Sequence, residues 1–121
     1  MPEHIEQPLP TPNGGRSIQS MVRADLLDAI PPVAADVSAD LLDREQLGIE
    51  RYGTYLQANN GRDALRDAYE ECLDLAVYLK QAIVEGHDLV IAYYATLTMA
   101  MHIKENMLAR DAAKGTGDAA V

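Results

Sequence analysis

The sequence predicts an all-α protein, a four-helix-bundle-like fold assembled as an oligomer, and three observations carry that expectation. Strand-like alternation is absent throughout. Proline and glycine punctuate the chain at intervals that suit helices. The last long segment, Leu89 to Met101, is apolar on nearly every side, and a helix of that kind has to be surrounded.

Residues 1–15 hold four prolines and two glycines with no periodicity, and read as an arm that is disordered or draped over a partner. Ser17 is placed to cap a short helix running to about Ala29, ended by Pro31-Pro32. A second helix is expected from about Val33 to Arg51 with Pro32 near its first turn. The stretch from Tyr52 to Arg62 is a loop, with Asn60-Gly61 as its turn signal. Asp63 caps a third helix that ends near Glu85, where Gly86 breaks it. A fourth helix follows from about His87 to Ala113, with Asp88 in its first turn. Residues 16–113 thus form one helical domain, followed by a flexible tail over 114–121. No internal repeat stands out.

Composition narrows the function classes. Hydrophobic residues make up 48% of the 121 residues, but Trp and Phe are absent, so small and branched side chains fill the core. Nineteen acidic residues against ten Lys and Arg give a net charge of −9, which argues against a nucleic-acid partner. Cys72 is the only cysteine, so no intrachain disulfide forms, and a reducing compartment fits. The start of the chain lacks the features of a signal peptide, and no apolar run reaches the ~20 residues of a membrane span. The expected setting is the cytoplasm, a host's cytoplasm if the chain is viral. A chain of this length cannot surround its own fourth helix, so a homodimer or homotetramer is expected.

On a helical wheel, the third helix carries a narrow acidic strip that includes Asp67, Glu70, Glu71 and Asp74, and most of its remaining circumference is apolar. Like charges stand four apart twice, as Asp67–Glu71 and Glu70–Asp74, which disfavours the isolated helix. Arg66 reaches Glu70, but nothing on this helix neutralises Glu71 or Asp74. A hard cation relieves the repulsion, because Mg²⁺ prefers carboxylate and water oxygens. The bland alternative is a solvated acidic face. On the second helix, Asp36, Asp40 and Asp43 share one face, and antiparallel packing would turn them towards Glu71 and Asp74. Glu45 and Glu50 lie on other faces. Gly48, costly in a helix interior, marks a close helix or ligand approach.

Two helices contributing carboxylates, the second as Glu71-x-x-Asp74 followed by Leu75-Ala76-Val77-Tyr78-Leu79, resemble the all-α nucleoside triphosphate pyrophosphatases of the MazG and HisE type. The wider stretch from Gly48 to Ile83 is similar to small phage MazG-like proteins. The family's E-E-x-x-E is missing from the first acidic helix, where Asp40-x-x-Asp43 is the nearest equivalent. The resemblance implies Mg²⁺-dependent hydrolysis between the α and β phosphates, with Mn²⁺ as a substitute, giving a monophosphate and pyrophosphate. Glu71 and Asp74 are the implied ligands, with Asp40 and Asp43 from the other helix. Asp67, read from the wheel, takes a supporting role that the family pattern does not require, and Asp40 or Glu71 takes the proton of the attacking water. Arg51, Arg62, Lys80 and Lys104 are the implied phosphate or nucleotide contacts. The amides of Gln57, Asn59 and Asn60 are placed to read a base edge, with a purine deoxynucleotide such as dGTP as the expected substrate.

Other chemistries fit less well. His87-Asp88 suggests a histidine–aspartate phosphohydrolase, but only His4 and His102 remain to complete such a site. Cys72 falls on the apolar side of its helix, where cysteine acts as a small hydrophobe. The rival reading is non-enzymatic: a helical oligomerisation or adaptor module whose acidic strip binds a basic partner.

Overall fold

The computed structural model describes residues 7–26 and 32–119, with side chains described as far as residue 115. It contains four helices and, among the described residues, no strand: α1 (Ile18–Asp25), α2 (Val33–Tyr52), α3 (Ala64–Val84) and α4 (Val90–Ala119). The all-α expectation holds. The chain divides into two units, Met1–Arg62 and Asp63–Val121. The domain expected over residues 16–113 is therefore described as two pairs, α1 with α2 and α3 with α4.

In the first unit, the Ser17 side chain caps α1 by accepting the Ser20 backbone N–H at 3.2 Å. The helix is shorter than expected, ending at Asp25. Its projected end at Ala29 lies outside the described residues. Helix α2 matches its expected span to within a residue and stops at Gly53, whose φ of 77° suits a residue without a Cβ. The less exposed side of α2 is the heptad-spaced stripe Ala34, Ser38, Leu41, Glu45 and Gly48. A Cβ added at Gly48 would meet nothing within 4 Å, so among the described residues no helix packs closely against it.

The arm preceding α1 runs along the loop after α2. Thr11 donates its N–H to the Asn60 carbonyl at 2.8 Å, and Ile18 donates to the Leu56 carbonyl at 2.9 Å. Gln57 is buried and its Oε1 accepts from both Asn13 N (2.7 Å) and Gly15 N (3.0 Å). Asn13 Nδ2 donates in return to the carbonyls of Ala58 and Asn59. These bonds satisfy loop and arm groups that no helix or strand could serve. Residues 7–15 are thus draped over a segment of their own chain. Residues 1–6 lie outside the described set.

In the second unit, Asp63 caps α3 by accepting the Arg66 N–H at 3.2 Å. Helix α3 ends in a left-handed stop. Gly86, at φ 104°, donates to the Ile83 carbonyl, and His87 donates to the Ala82 carbonyl. That pair of bonds is the Schellman arrangement. The chain then uses residues 87–89 to reverse direction, so α4 begins at Val90 and Asp88 stands before it rather than in its first turn. Helix α4 also continues beyond Ala113 to Ala119 through two glycines, so residues 114–119 are helical. Nothing in the structure explains that continuation.

The interior of this hairpin is thin. Among the described residues it buries only Ala76, Thr96, Ala100 and Met107. Thr96 is 2% exposed, and its hydroxyl is satisfied by the Ala92 carbonyl at 2.8 Å. Large apolar residues such as Val77, Val84, Met101 and Leu108 remain exposed.

Candidate functional site

Glu71 and Asp74 stand on α3, both exposed, at a spacing of three that puts them on one side of the helix. Among the described residues, neither has a hydrogen-bond or ion-pair partner. Asp67, one turn earlier, is half-buried. Glu70 is drawn out of the strip by Arg66, whose Nε meets Glu70 Oε1 at 3.1 Å.

Asp63 belongs to the scaffold. Besides capping α3 it accepts Arg110 Nη1 at 2.8 Å, tying the start of α3 to α4. Partial burial works against its ionisation. The Arg110 hydrogen bond, the Arg66 backbone N–H and the Arg110 charge outweigh that burial and hold the carboxyl below its ordinary 3.8. The Asp63 hydrogen bond is in turn the largest influence raising the Arg110 guanidinium further above its ordinary value.

On α2, in the first unit, Asp36, Asp40 and Asp43 are all exposed. The buried acid of that helix is Glu45, 8% exposed, whose Oε2 accepts the Ser17 hydroxyl. It lies about 180° round α2 from Asp36, Asp40 and Asp43. Glu45 lines a pocket of about 230 Å³ with Arg44, Tyr52 and Tyr55 at its sides. Its place on the Ala34–Ser38–Leu41–Glu45–Gly48 stripe was the available signal. Only the position of Ser17 reveals that a carboxylate can be tolerated there.

The expected substrate contacts are spread over the two units. Arg51 is exposed in the last turn of α2, beside Arg44 and Tyr52 in a recess of about 170 Å³. Arg62 donates from Nη1 to the Pro8 carbonyl at 2.9 Å. Asn60 is buried, and its Oδ1 accepts the Arg62 N–H at 3.1 Å while its carbonyl holds Thr11. Gln57 is committed to the arm at Oε1, and its Nε2 reaches Thr54 Oγ1 at 3.3 Å. Asn59 adopts φ 58°, serving the turn. Two of the three amides expected to read a base, those of Gln57 and Asn60, are thus engaged within the arm and loop.

Lys80 and Lys104 are placed alike. Lys80 Nζ lies 5.2 Å from the Tyr93 ring centroid, and Lys104 Nζ lies 5.2 Å from that of Tyr69. Lys80 stands about 180° round α3 from Glu71. One hairpin therefore does not bring its lysines to its acidic strip.

For the implied Mg²⁺, the donor chemistry of Glu71 and Asp74 is suitable: two hard carboxylates, exposed and without a cation of their own. Among the described residues, no three acidic, histidine or cysteine side chains gather closely enough to hold an ion. What α3 offers by itself is part of a coordination shell. No protein-family model, curated protein or solved structure matches this chain, so its sequence and geometry alone carry the functional reading.

Proposed function

We propose that the protein is a metal-dependent nucleoside triphosphate pyrophosphohydrolase, cleaving between the α and β phosphates. The observation that carries the reading is the Glu71–Asp74 pair, exposed on an otherwise largely apolar helix and left without a neutralising partner. Like charges one turn apart disfavour the helix by about 0.2–0.5 kcal/mol, and a shared hard cation would relieve that repulsion. The resemblance of Glu71-x-x-Asp74 and the apolar residues after it to the all-α pyrophosphatases supports the same reaction.

Mg²⁺ bound there would polarise the phosphates and lower the pKa of a coordinated water. Glu71 and Asp74 would hold the ion, leaving its remaining positions to water and substrate oxygens. Phosphoryl chemistry of this kind needs positioning and charge, and no protein nucleophile. Asp40, Asp43 and Asp67 are the further carboxylates to be tested by substitution. Arg51 and Arg62 are the basic residues to be tested as phosphate contacts, and a purine deoxynucleotide is the proposed substrate.

The test is pyrophosphate release from a panel of ribo- and deoxynucleoside triphosphates, with Mg²⁺, with Mn²⁺ and with chelator. Turnover is expected only with metal, falling to background in Glu71→Ala and Asp74→Ala. Absence of metal-dependent turnover on every nucleotide would refute the proposal, as would full activity in Glu71→Ala. The exposed apolar residues of α3 and α4 favour the second reading, a helical oligomerisation module that needs no metal. Self-association with no turnover on any nucleotide would select it.

A further inference from the structure

The first unit holds a pocket whose polar wall is short of hydrogen-bond donors. It is lined by residues of the arm, α1, α2 and the loop after α2, all of them in that unit. Its volume is about 230 Å³, below the ~300–1,000 Å³ of pockets that enclose drug-sized ligands, so it suits a single ring or a side-chain head.

Two acceptors in this wall lack donors. Glu45 is buried, and among the described residues only its Oε2 is hydrogen-bonded, by the Ser17 hydroxyl. A carboxylate offers about four acceptor sites, and burying one with a single partner costs free energy. No lysine or arginine among the described residues pairs with it, and Arg44 lies exposed at the side of the pocket. Gln19 lines the same pocket, and its Oε1 is buried without a hydrogen bond. Arg23, one turn on, does not serve it, since its own Nε is buried and equally unpaired. Thr54 is already engaged, its hydroxyl donating to the Tyr55 carbonyl and accepting from Gln57 Nε2, both at 3.3 Å. An apolar occupant would leave Glu45 and Gln19 unsatisfied, a state that native structures rarely keep. Tyr52 and Tyr55, both partly exposed, add aromatic surface that suits a flat group.

We propose that this pocket binds a planar group with adjacent N–H donors, the edge that a guanine base and a guanidinium group have in common. Such an edge offers two parallel N–H groups to one carboxylate, here that of Glu45. Both groups carry a further N–H, which Gln19 Oε1 can accept. The inference rests on the first unit alone, needs no metal, and is independent of the proposed hydrolysis by Glu71 and Asp74.

The test is an NMR titration of the full chain in the presence of chelator, read at the side-chain amide of Gln19 and the backbone N–H of Tyr55. The probes are guanosine, agmatine and adenosine. Guanosine, agmatine or both should saturate these signals at one equivalent per chain. Guanosine alone would make the bound group a base, and agmatine alone a guanidinium. Adenosine, which lacks the donor pair, should bind at least about tenfold more weakly. Glu45→Gln, which exchanges an acceptor for a donor, should cost about tenfold or more in affinity. Gln19→Leu, read at Tyr55, keeps the proposal testable should Glu45→Gln not fold. It should weaken binding several-fold while thermal stability stays level or rises, because the oxygen it removes is unpaired. Binding of neither guanosine nor agmatine would overturn the proposal, as would adenosine binding equally well or full affinity in either variant. Loss of binding in Glu71→Ala would overturn it too, since the ligand would then sit on the acidic pair of α3.

Discussion

Asp63 performs two tasks that substitution can separate. Its carboxylate accepts the Arg66 N–H as the N-cap of α3, and it accepts Arg110 Nη1 from α4. Asp63→Ala removes both, whereas Asp63→Asn keeps an oxygen for the cap and removes the charge. Loss of a capping acceptor costs about 1 kcal/mol. The ion pair adds only a little to this, because both side chains are about a third exposed and water screens them. Asp63→Ala should therefore lower the free energy of urea unfolding by about 1 kcal/mol at pH 7, and Asp63→Asn by clearly less. The pH dependence has a definite sign. The folded carboxyl ionises below its ordinary 3.8, so its charge stabilises the fold above that pH. This contribution is lost as the pH falls through the lowered folded value. The gap between wild type and Asp63→Asn should then close below about pH 3.8, while the penalty of Asp63→Ala, being a lost cap, should persist. Equal losses in the two variants at pH 7, or a gap that stays constant down to pH 2, would refute the division into cap and pair.

Three further outcomes follow from the geometry. Gly48→Ala should stabilise α2 by about 0.5–1 kcal/mol, since the added methyl meets nothing within 4 Å; thermal unfolding at fixed concentration measures it. Gln57→Ala leaves the N–H groups of Asn13 and Gly15 without their common acceptor, and hydrogen exchange should speed up at both while the amides of α3 keep their protection. Glu71→Gln and Asp74→Asn should each abolish Mg²⁺-dependent pyrophosphate release with unchanged helix content, whereas Glu70→Gln, already paired with Arg66, should retain most of it.

The fold was largely legible in local signals. Pro32, Asp63 and Gly86 act within a few residues of themselves, and a stretch rich in turn formers follows Arg51, so the bounds of α2 and α3 follow closely. The start of α4 was less legible because residues 87–89 are consumed by the reversal, which depends on α4 lying back along α3. The roles of Gln57 and Asn60 were hidden for a different reason. Their partners, Asn13, Gly15 and Thr11, are more than 40 residues away, and no local pattern announces such a pairing. Of the candidate site, the pairing of Arg66 with Glu70 and the isolation of Glu71 and Asp74 were readable from the wheel. The burial of Glu45 required the fold.

Residues 68–84 of α3 and 92–108 of α4 correspond at an offset of 24, with Ala68, Tyr69, Leu73, Ala76 and Lys80 recurring as Ala92, Tyr93, Leu97, Ala100 and Lys104. The Lys80–Tyr93 and Lys104–Tyr69 contacts, both at 5.2 Å, follow the same relation. At the offset of 24, Glu71 and Asp74 correspond to Ala95 and Thr98, both exposed on α4. The hairpin is thus a matched framework with its acidic lettering on one arm and a blank on the other. Ala95→Glu with Thr98→Asp would write the same pair onto the blank arm, at positions already facing water. Such a chain would carry two equivalent copies of the acidic pair in one hairpin. Comparing its stoichiometry of metal uptake with the parent's would test whether metal binding is local to a four-residue span of a helix.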